Sequence, residues 1–190
     1  PPAGSTIFRR PRLSPRRFDR LFARLAPMES VPVELRLLVL IVIANGTPII
    51  AATIFGQRGA WPVDRGRVLA DGHRLLGDSK TWRGVVLGPL STSVGALILG
   101  LPVWIGGLVG IAAMLGDLLS SFIKRRLGMP PSSRALGLDQ IPESLLPMLA
   151  VAGEFALTGS AILLTVAGFV MLDLTLSPIF YWLGIRNRPY

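Results

Sequence analysis

The 190 residues contain no cysteine. That excludes a disulfide framework and any thiolate metal site, and it leaves the redox compartment unmarked. There is one histidine, His73, so a histidine metal cluster is excluded as well. Aromatic residues make up 7%, with none of the basic-aromatic patterning of RNA readers, so no nucleic acid partner is expected. Charge is also scarce. Only 16% of residues are Asp, Glu, Lys or Arg, against roughly one-quarter in an ordinary soluble domain.

Apolar residues take the place of charge. They make up 51% of the chain, and long apolar runs recur along it. The formal net charge is +9, which in a membrane protein points to cytoplasmic loops or anionic headgroups. The expected fold class is all-α: a polytopic membrane helical bundle of about five transmembrane helices with two functional cytoplasmic loops. Residues 1–32 read as an Arg-rich N-terminal tail, interfacial or disordered, and residues 33–190 as the membrane-embedded domain. In the tail, Phe18, Leu21, Phe22 and Leu25 recur at i, i+3, i+4 and i+7 with arginines between them, as in a short helix lying on a membrane surface.

The expected spans are Leu35–Phe55, Val85–Leu101, Val103–Ile123, Leu145–Leu157 and Ala161–Leu183. Some fall short of the roughly 20 residues a crossing helix needs. Asn45-Gly46-Thr47-Pro48 predicts a kink or break in the first span. The second is rich in Gly, Ser and Thr, which permits close helix packing. With five spans, the first and third loops and the C-terminus share one side and carry twelve Lys and Arg residues. The positive-inside rule assigns that side to the cytoplasm of a cell (inner) membrane. The Arg-rich tail then falls on the opposite side, unless the first segment re-enters.

Asp117 is the residue least expected in an apolar helix. At about 100° per residue, Ser121 and Lys124 lie within about 40° of it and Ser120 about 60° away. One helix face thus presents a carboxylate, hydroxyls and an ammonium. An ionisable group at membrane depth usually faces a polar cavity and marks function, although a plain Asp117–Lys124 salt bridge would give the same pattern. Asp139 follows across a loop with Gly128, Pro130 and Pro131. Two such carboxylates suit Mg²⁺, which keeps waters and shares substrate phosphate oxygens; alone, Asp139 reads equally well as a helix N-cap. The first loop places Asp71, His73, Arg74, Asp78, Lys80 and Arg83 among glycines. Backbone amides and cations of that kind hold phosphates, but the P-loop spacing is absent.

"DGHRLLGDSKTWRG" at residues 71–84, "GDLLSSFIKRR" at 116–126, "LDQIP" at 138–142 and "ANGTP" at 44–48 together resemble the CDP-archaeol synthase family, in the superfamily of phosphatidate cytidylyltransferase. The resemblance spans about residues 35–183. It implies a CTP:lipid-phosphate cytidylyltransferase using CTP, a lipid phosphate in the bilayer and Mg²⁺. By this resemblance Asp117 and Asp139 are metal ligands, and with Lys124 they form the catalytic set. Substrate-binding candidates are Asp78, Ser79, Lys80, Thr81, Arg125 and Arg126, with Arg74, Ser121 and Asn45. Many relatives carry an acidic residue where Arg83 stands, which leaves position 83 without an assigned role. The lipid chain is unspecified and a homodimer is left open. The competing readings are a membrane enzyme with another activated donor, a small transporter or channel using Asp117, Glu154 and Asp173, and a non-catalytic scaffold.

Overall fold

The computed structural model describes residues 30–130, 133 and 135–182; the side chains of 178–181 are outside that description. The Arg-rich tail and its amphipathic pattern therefore lie outside the described residues. Five helices follow one another: α1 (Val33–Phe55), α2 (Trp82–Ile98), α3 (Val103–Arg126), α4 (Gln140–Val151) and α5 (Gly159–Trp182). No strand occurs among the described residues, only isolated bridges in the first loop.

The helices bury apolar residues at one shared seam. Leu37, Leu40 and Ile41 of α1 meet Ala96 of α2, Ile105 and Val109 of α3, Met148 and Val151 of α4, and Val166 and Phe169 of α5. The outward faces are also apolar: Val86, Leu90 and Val94 on α2, Ile111 and Leu115 on α3, and Leu163 and Leu164 on α5 are exposed. A helix apolar all round belongs in a membrane. By length and composition α1, α3 and residues 159–177 of α5 are able to cross one. α2 and α4 are shorter, at 17 and 12 residues. The chain is an integral membrane protein.

Small residues bring the helices together. A Cβ on Gly106 or Gly110 of α3 would strike the α2 backbone at Thr92 and Pro89, and one on Gly116 would strike Pro142 and Glu143 of α4. α1 is not broken: it continues through Pro48. Thr47 Oγ1 bonds the Ile43 carbonyl at 2.7 Å and Ser91 Oγ of α2 at 2.6 Å, and the Asn45 amide bonds the Ile41 carbonyl at 3.1 Å. Side-chain bonds and a packed neighbour are what allow proline inside a membrane helix. A second expectation also shifts. α4 starts five residues earlier than Leu145 and ends at Val151, so Glu154 is not in a span but exposed in the connection to α5. The turn there holds Ala156 at φ +47.

Candidate active site

Helix direction alternates along the chain. The C-termini of α1, α3 and α5 and the N-termini of α2 and α4 therefore gather at one end, with the loops 56–81 and 127–139. The first loop folds back on itself: Val63 N–H donates to the Lys80 carbonyl, Leu75 N–H to the Arg67 carbonyl, and Trp82 N–H to the Trp61 carbonyl. Its hub is the buried Asp64. The Asp64 carboxylate accepts from the Arg74 guanidinium and from the amides of Gly66, Leu76 and Gly77. Burial alone would raise its pKa; these donors outweigh it and hold the carboxyl well below the usual range.

This loop delivers Lys80 into the bundle. Its ammonium pairs with Asp117 of α3, and both side chains are largely buried. Burial disfavours the Lys80 charge, but the carboxyls of Asp117 and Glu143 outweigh it and keep its pKa above the ordinary lysine value. The Asp117 and Glu143 carboxyls face each other at hydrogen-bonding range. Lys124, about two turns further along the same face of α3, pairs with Asp139 at 2.6 Å and donates to the Ser133 carbonyl at 3.0 Å. Two Lys–Asp pairs and one extra glutamate thus lie within electrostatic reach of one another. The simple Asp117–Lys124 bridge is not the pairing found. Nor does Asp139 cap α4 by its side chain, because its second oxygen accepts from the Ala135 amide at 2.9 Å.

The remaining sequence candidates divide. Ser79 and Thr81 line a small cleft with Lys80, Asp117, Pro48 and Met114, and Thr81 also caps α2 by accepting from Gly84 N–H. Ser121 is buried on α3, on the face expected. Arg125 is buried, bonds the Pro130 carbonyl at 2.8 Å, and leaves its Nε without a partner among the described residues. Arg126 clamps the first loop through Asp71 and the His73 and Arg74 carbonyls. Arg74 bonds Asp64 and Asp78. Asn45 is occupied within α1. His73 is an exposed turn residue whose N–H donates to Asp71. Arg83 gains a role the sequence did not assign: its guanidinium closes the end of α1 by donating to the Gly56 and Arg58 carbonyls.

Sequence reasoning missed Glu143. It stands one helical turn after Asp139, a spacing that puts both carboxylates on one face, but the pair reads first as a capping pattern. It also missed Gln140, which is buried and donates to Asp173 of α5 at 2.9 Å while accepting from Gly137 N–H. Asp173 is thus a structural partner of the α4 entrance, and Glu154 lies exposed at the other end of the bundle. With Asp117 they line no common path, and the transporter reading loses its residues.

Among the described residues no three Asp, Glu or His side chains enclose a cation by themselves. The donor set at Asp117 and Glu143, with Asp139 close enough to act on both Glu143 and Lys80, still fits a hard cation. Such an ion takes one or two carboxylates and completes its shell with water and substrate phosphate oxygens. Two facing carboxyls also need positive charge between or beside them.

Residues 33–190 match the family model described as CarS-like, CDP-archaeol synthase. The CDP-archaeol synthase of Pyrococcus furiosus is 37% identical over 152 residues, covering 73% of this chain and 81% of the relative. That of Thermococcus onnurineus is 35% identical over 150 residues, with 73% and 80% covered. A solved structure of an intramembrane enzyme for archaeal membrane lipid biosynthesis superposes with a TM-score of 0.62 at 34% identity, covering 75% of this chain and 90% of that one.

Proposed function

Because the chain belongs to the CDP-archaeol synthase family, we infer that it transfers the CMP unit of CTP to a lipid phosphate, giving a CDP-lipid and pyrophosphate. The observation that carries this reading for these residues is the largely enclosed Lys80–Asp117 pair with Glu143, beside the Lys124–Asp139 pair. Residues 33–190 form the catalytic unit, and Mg²⁺ is the metal.

Both reactants are anions, so the first barrier is their repulsion. Lys80 and Lys124 supply largely buried positive charge beside the carboxylates, and the buried Arg125 adds a third cation on α3. A phosphate monoester has its second pKa near about 6 and is already largely ionised at neutral pH, so the attacking lipid oxygen needs no strong base. That matches a site without a histidine–carboxylate pair. Asp117 and Glu143, with Asp139, would hold the metal, which when bound neutralises phosphate charge and aligns attacking and leaving oxygens. The chain's own part is alignment and a fixed electrostatic field. Asp78, Ser79 and Thr81 hold the nucleotide at the mouth of the site. The loop end carries the cations of both functional loops, and the positive-inside rule puts it in the cytoplasm, where CTP is.

The test is purified protein with radiolabelled CTP and a panel of diacyl and diphytanyl-type phosphates. Label should enter lipid, stop in EDTA and return with Mg²⁺. Asp117→Asn should lower turnover at least about 100-fold while remaining folded and inserted. Wild-type turnover in that variant, or activity in chelator, overturns the reading.

A further inference from the structure

Asp173 stands within the apolar helix α5, apart from the lysine–carboxylate cluster. It forms no ion pair among the described residues. An ionisable side chain in an apolar span is costly and marks function by default. What Asp173 touches is α4. Its Oδ2 accepts from the Gln140 amide nitrogen at 2.9 Å, and Ser177 Oγ, one turn on in α5, lies 3.4 Å from Oδ1.

Gln140 is the hub of the turn that starts α4. It is 3% exposed. Its Oε1 accepts from the Gly137 N–H at 3.0 Å, and its carbonyl accepts from the buried Ser144 Oγ at 2.7 Å. Gly137 sits at φ +79, so the hub holds a turn that glycine alone enters freely. On either side of Gln140 in sequence stand Asp139 and Glu143. At about 100° per residue those two carboxylates lie about 40° apart on α4, and Gln140 lies about 60° beyond Glu143. The carboxylates therefore face α3, where Lys124 and Asp117 meet them, while Gln140 reaches α5.

We propose that Asp173 is a positioning residue for the metal-site carboxylates, fixing through Gln140 the rotation of α4 about its own axis. The proposal rests on the reading of Asp117, Glu143 and Asp139 as holders of a divalent cation. The close approach of Gly116 to Pro142 sets how far α4 stands from α3, but a contact between smooth surfaces lets a helix roll. A hydrogen bond is directional and does not. Side chains reach about 5–6 Å from a helix axis, so each 10° of roll moves a carboxylate by about 1 Å. That is enough to loosen a metal site. Asp173 supplies the missing constraint from the flank opposite the site.

The experiment uses the full chain in nanodiscs with three readouts: melting temperature, binding of Mn²⁺ alone by electron paramagnetic resonance, and Mg²⁺-dependent CMP transfer. Mn²⁺ stands in for Mg²⁺, and its binding needs no turnover. Asp173→Leu removes the acceptor and suits an apolar helix. It should weaken Mn²⁺ binding about tenfold and raise the Mg²⁺ concentration for half-maximal transfer by a similar factor. Asp173→Asn keeps an acceptor oxygen and should recover most of both. Adding Gln140→Met to Asp173→Leu should cost little more, because the two act through one bond. Gln140→Met alone breaks the bond from the α4 side and reads the same loss should Asp173→Leu fail to fold. Thr175→Val is the control, since that exposed hydroxyl bonds carbonyls of its own helix. A lower melting temperature with unaltered Mn²⁺ binding reduces the bond to packing and overturns the proposal. So does an Asp173→Asn variant as defective as Asp173→Leu, or a double variant in which the losses multiply. Weakened Mn²⁺ binding in the variants of a wild type that transfers no CMP overturns the reaction reading and keeps the positioning role. Mg²⁺-dependent transfer by the wild type, with Mn²⁺ binding unaltered in the variants, does the reverse.

Discussion

Glu143 carries the sharpest residue-scale expectation. Its carboxyl faces Asp117 and lies within reach of the Lys80 charge. If the pair grips a cation, Glu143→Gln should raise the Mg²⁺ concentration for half-maximal transfer about 10- to 100-fold and shrink the thermal shift that Mg²⁺–CTP produces. An unaltered Mg²⁺ titration would reduce Glu143 to a packing partner. Asp64 gives a pH expectation of known sign. Its folded pKa lies below the unfolded value of 3.8, so the folded loop binds that proton less readily than the unfolded one. The stabilisation is complete above the unfolded value and is lost only as pH falls through the folded one. Amide exchange protection at Gly66, Leu76 and Gly77 should hold steady from neutral pH down to about pH 4 after correction for intrinsic rates, and in Asp64→Asn it should be lost at every pH. The individual charges were legible in the sequence because a carboxylate within an apolar run is conspicuous. Their partners were not. Lys80 finds Asp117 across 37 residues, and nothing local in either segment announces it.

At the scale of elements, glycine sets the distance between the two carboxylate-bearing helices. Gly116 precedes Asp117, and a Cβ there would meet the Pro142 carbonyl and stand 2.7 Å from the Glu143 amide nitrogen, all rigid backbone. Gly116→Ala must therefore push α3 from α4, at an overpacking cost of about 1–3 kcal/mol. The expected result is a lower melting temperature together with a loss of transfer larger than the stability loss explains, since Asp117 and Glu143 separate. Gly46→Ala is the control, because its Cβ would meet nothing within 4 Å. Full activity in Gly116→Ala would mean that helix spacing does not set the site. Apolar runs told where the helices are to within about three residues for four of them and about six for α4, because composition alone excludes water from them. They did not tell where helices end. Thr81 starts α2 at Trp82 by capping it, and Asp139 enters α4 through an Ala135 bond that no propensity describes. Proline at 48 suggested a kink or break because local rules count only the lost amide; Thr47, Asn45 and the packed face of α2 supply what those rules omit.

At the scale of the whole molecule, the fold is an arrangement for placing charge at one end of an apolar object. Five alternating helices put both basic loops and the Lys–Asp pairs at the same end, while the 99–102 and 152–158 connections at the other end hold one charged residue, Glu154. By the positive-inside rule such asymmetry biases orientation, and under the proposed function Lys80, Lys124 and Arg125 would both orient the chain and hold phosphate. The absence of cysteine makes this measurable without background labelling. Arg67→Cys in the first loop and Glu154→Cys in the opposite turn both replace exposed side chains. A membrane-impermeant maleimide should label position 67 only in inside-out vesicles and position 154 only in intact cells or right-side-out vesicles. If α1 re-enters instead of crossing, these labels stay as they are, and only a cysteine placed before Val33 changes sides. That third position separates five crossings from four. Labelling of position 67 from outside would place the loops away from the CTP pool, and the cytoplasmic assignment of the site would fall with it.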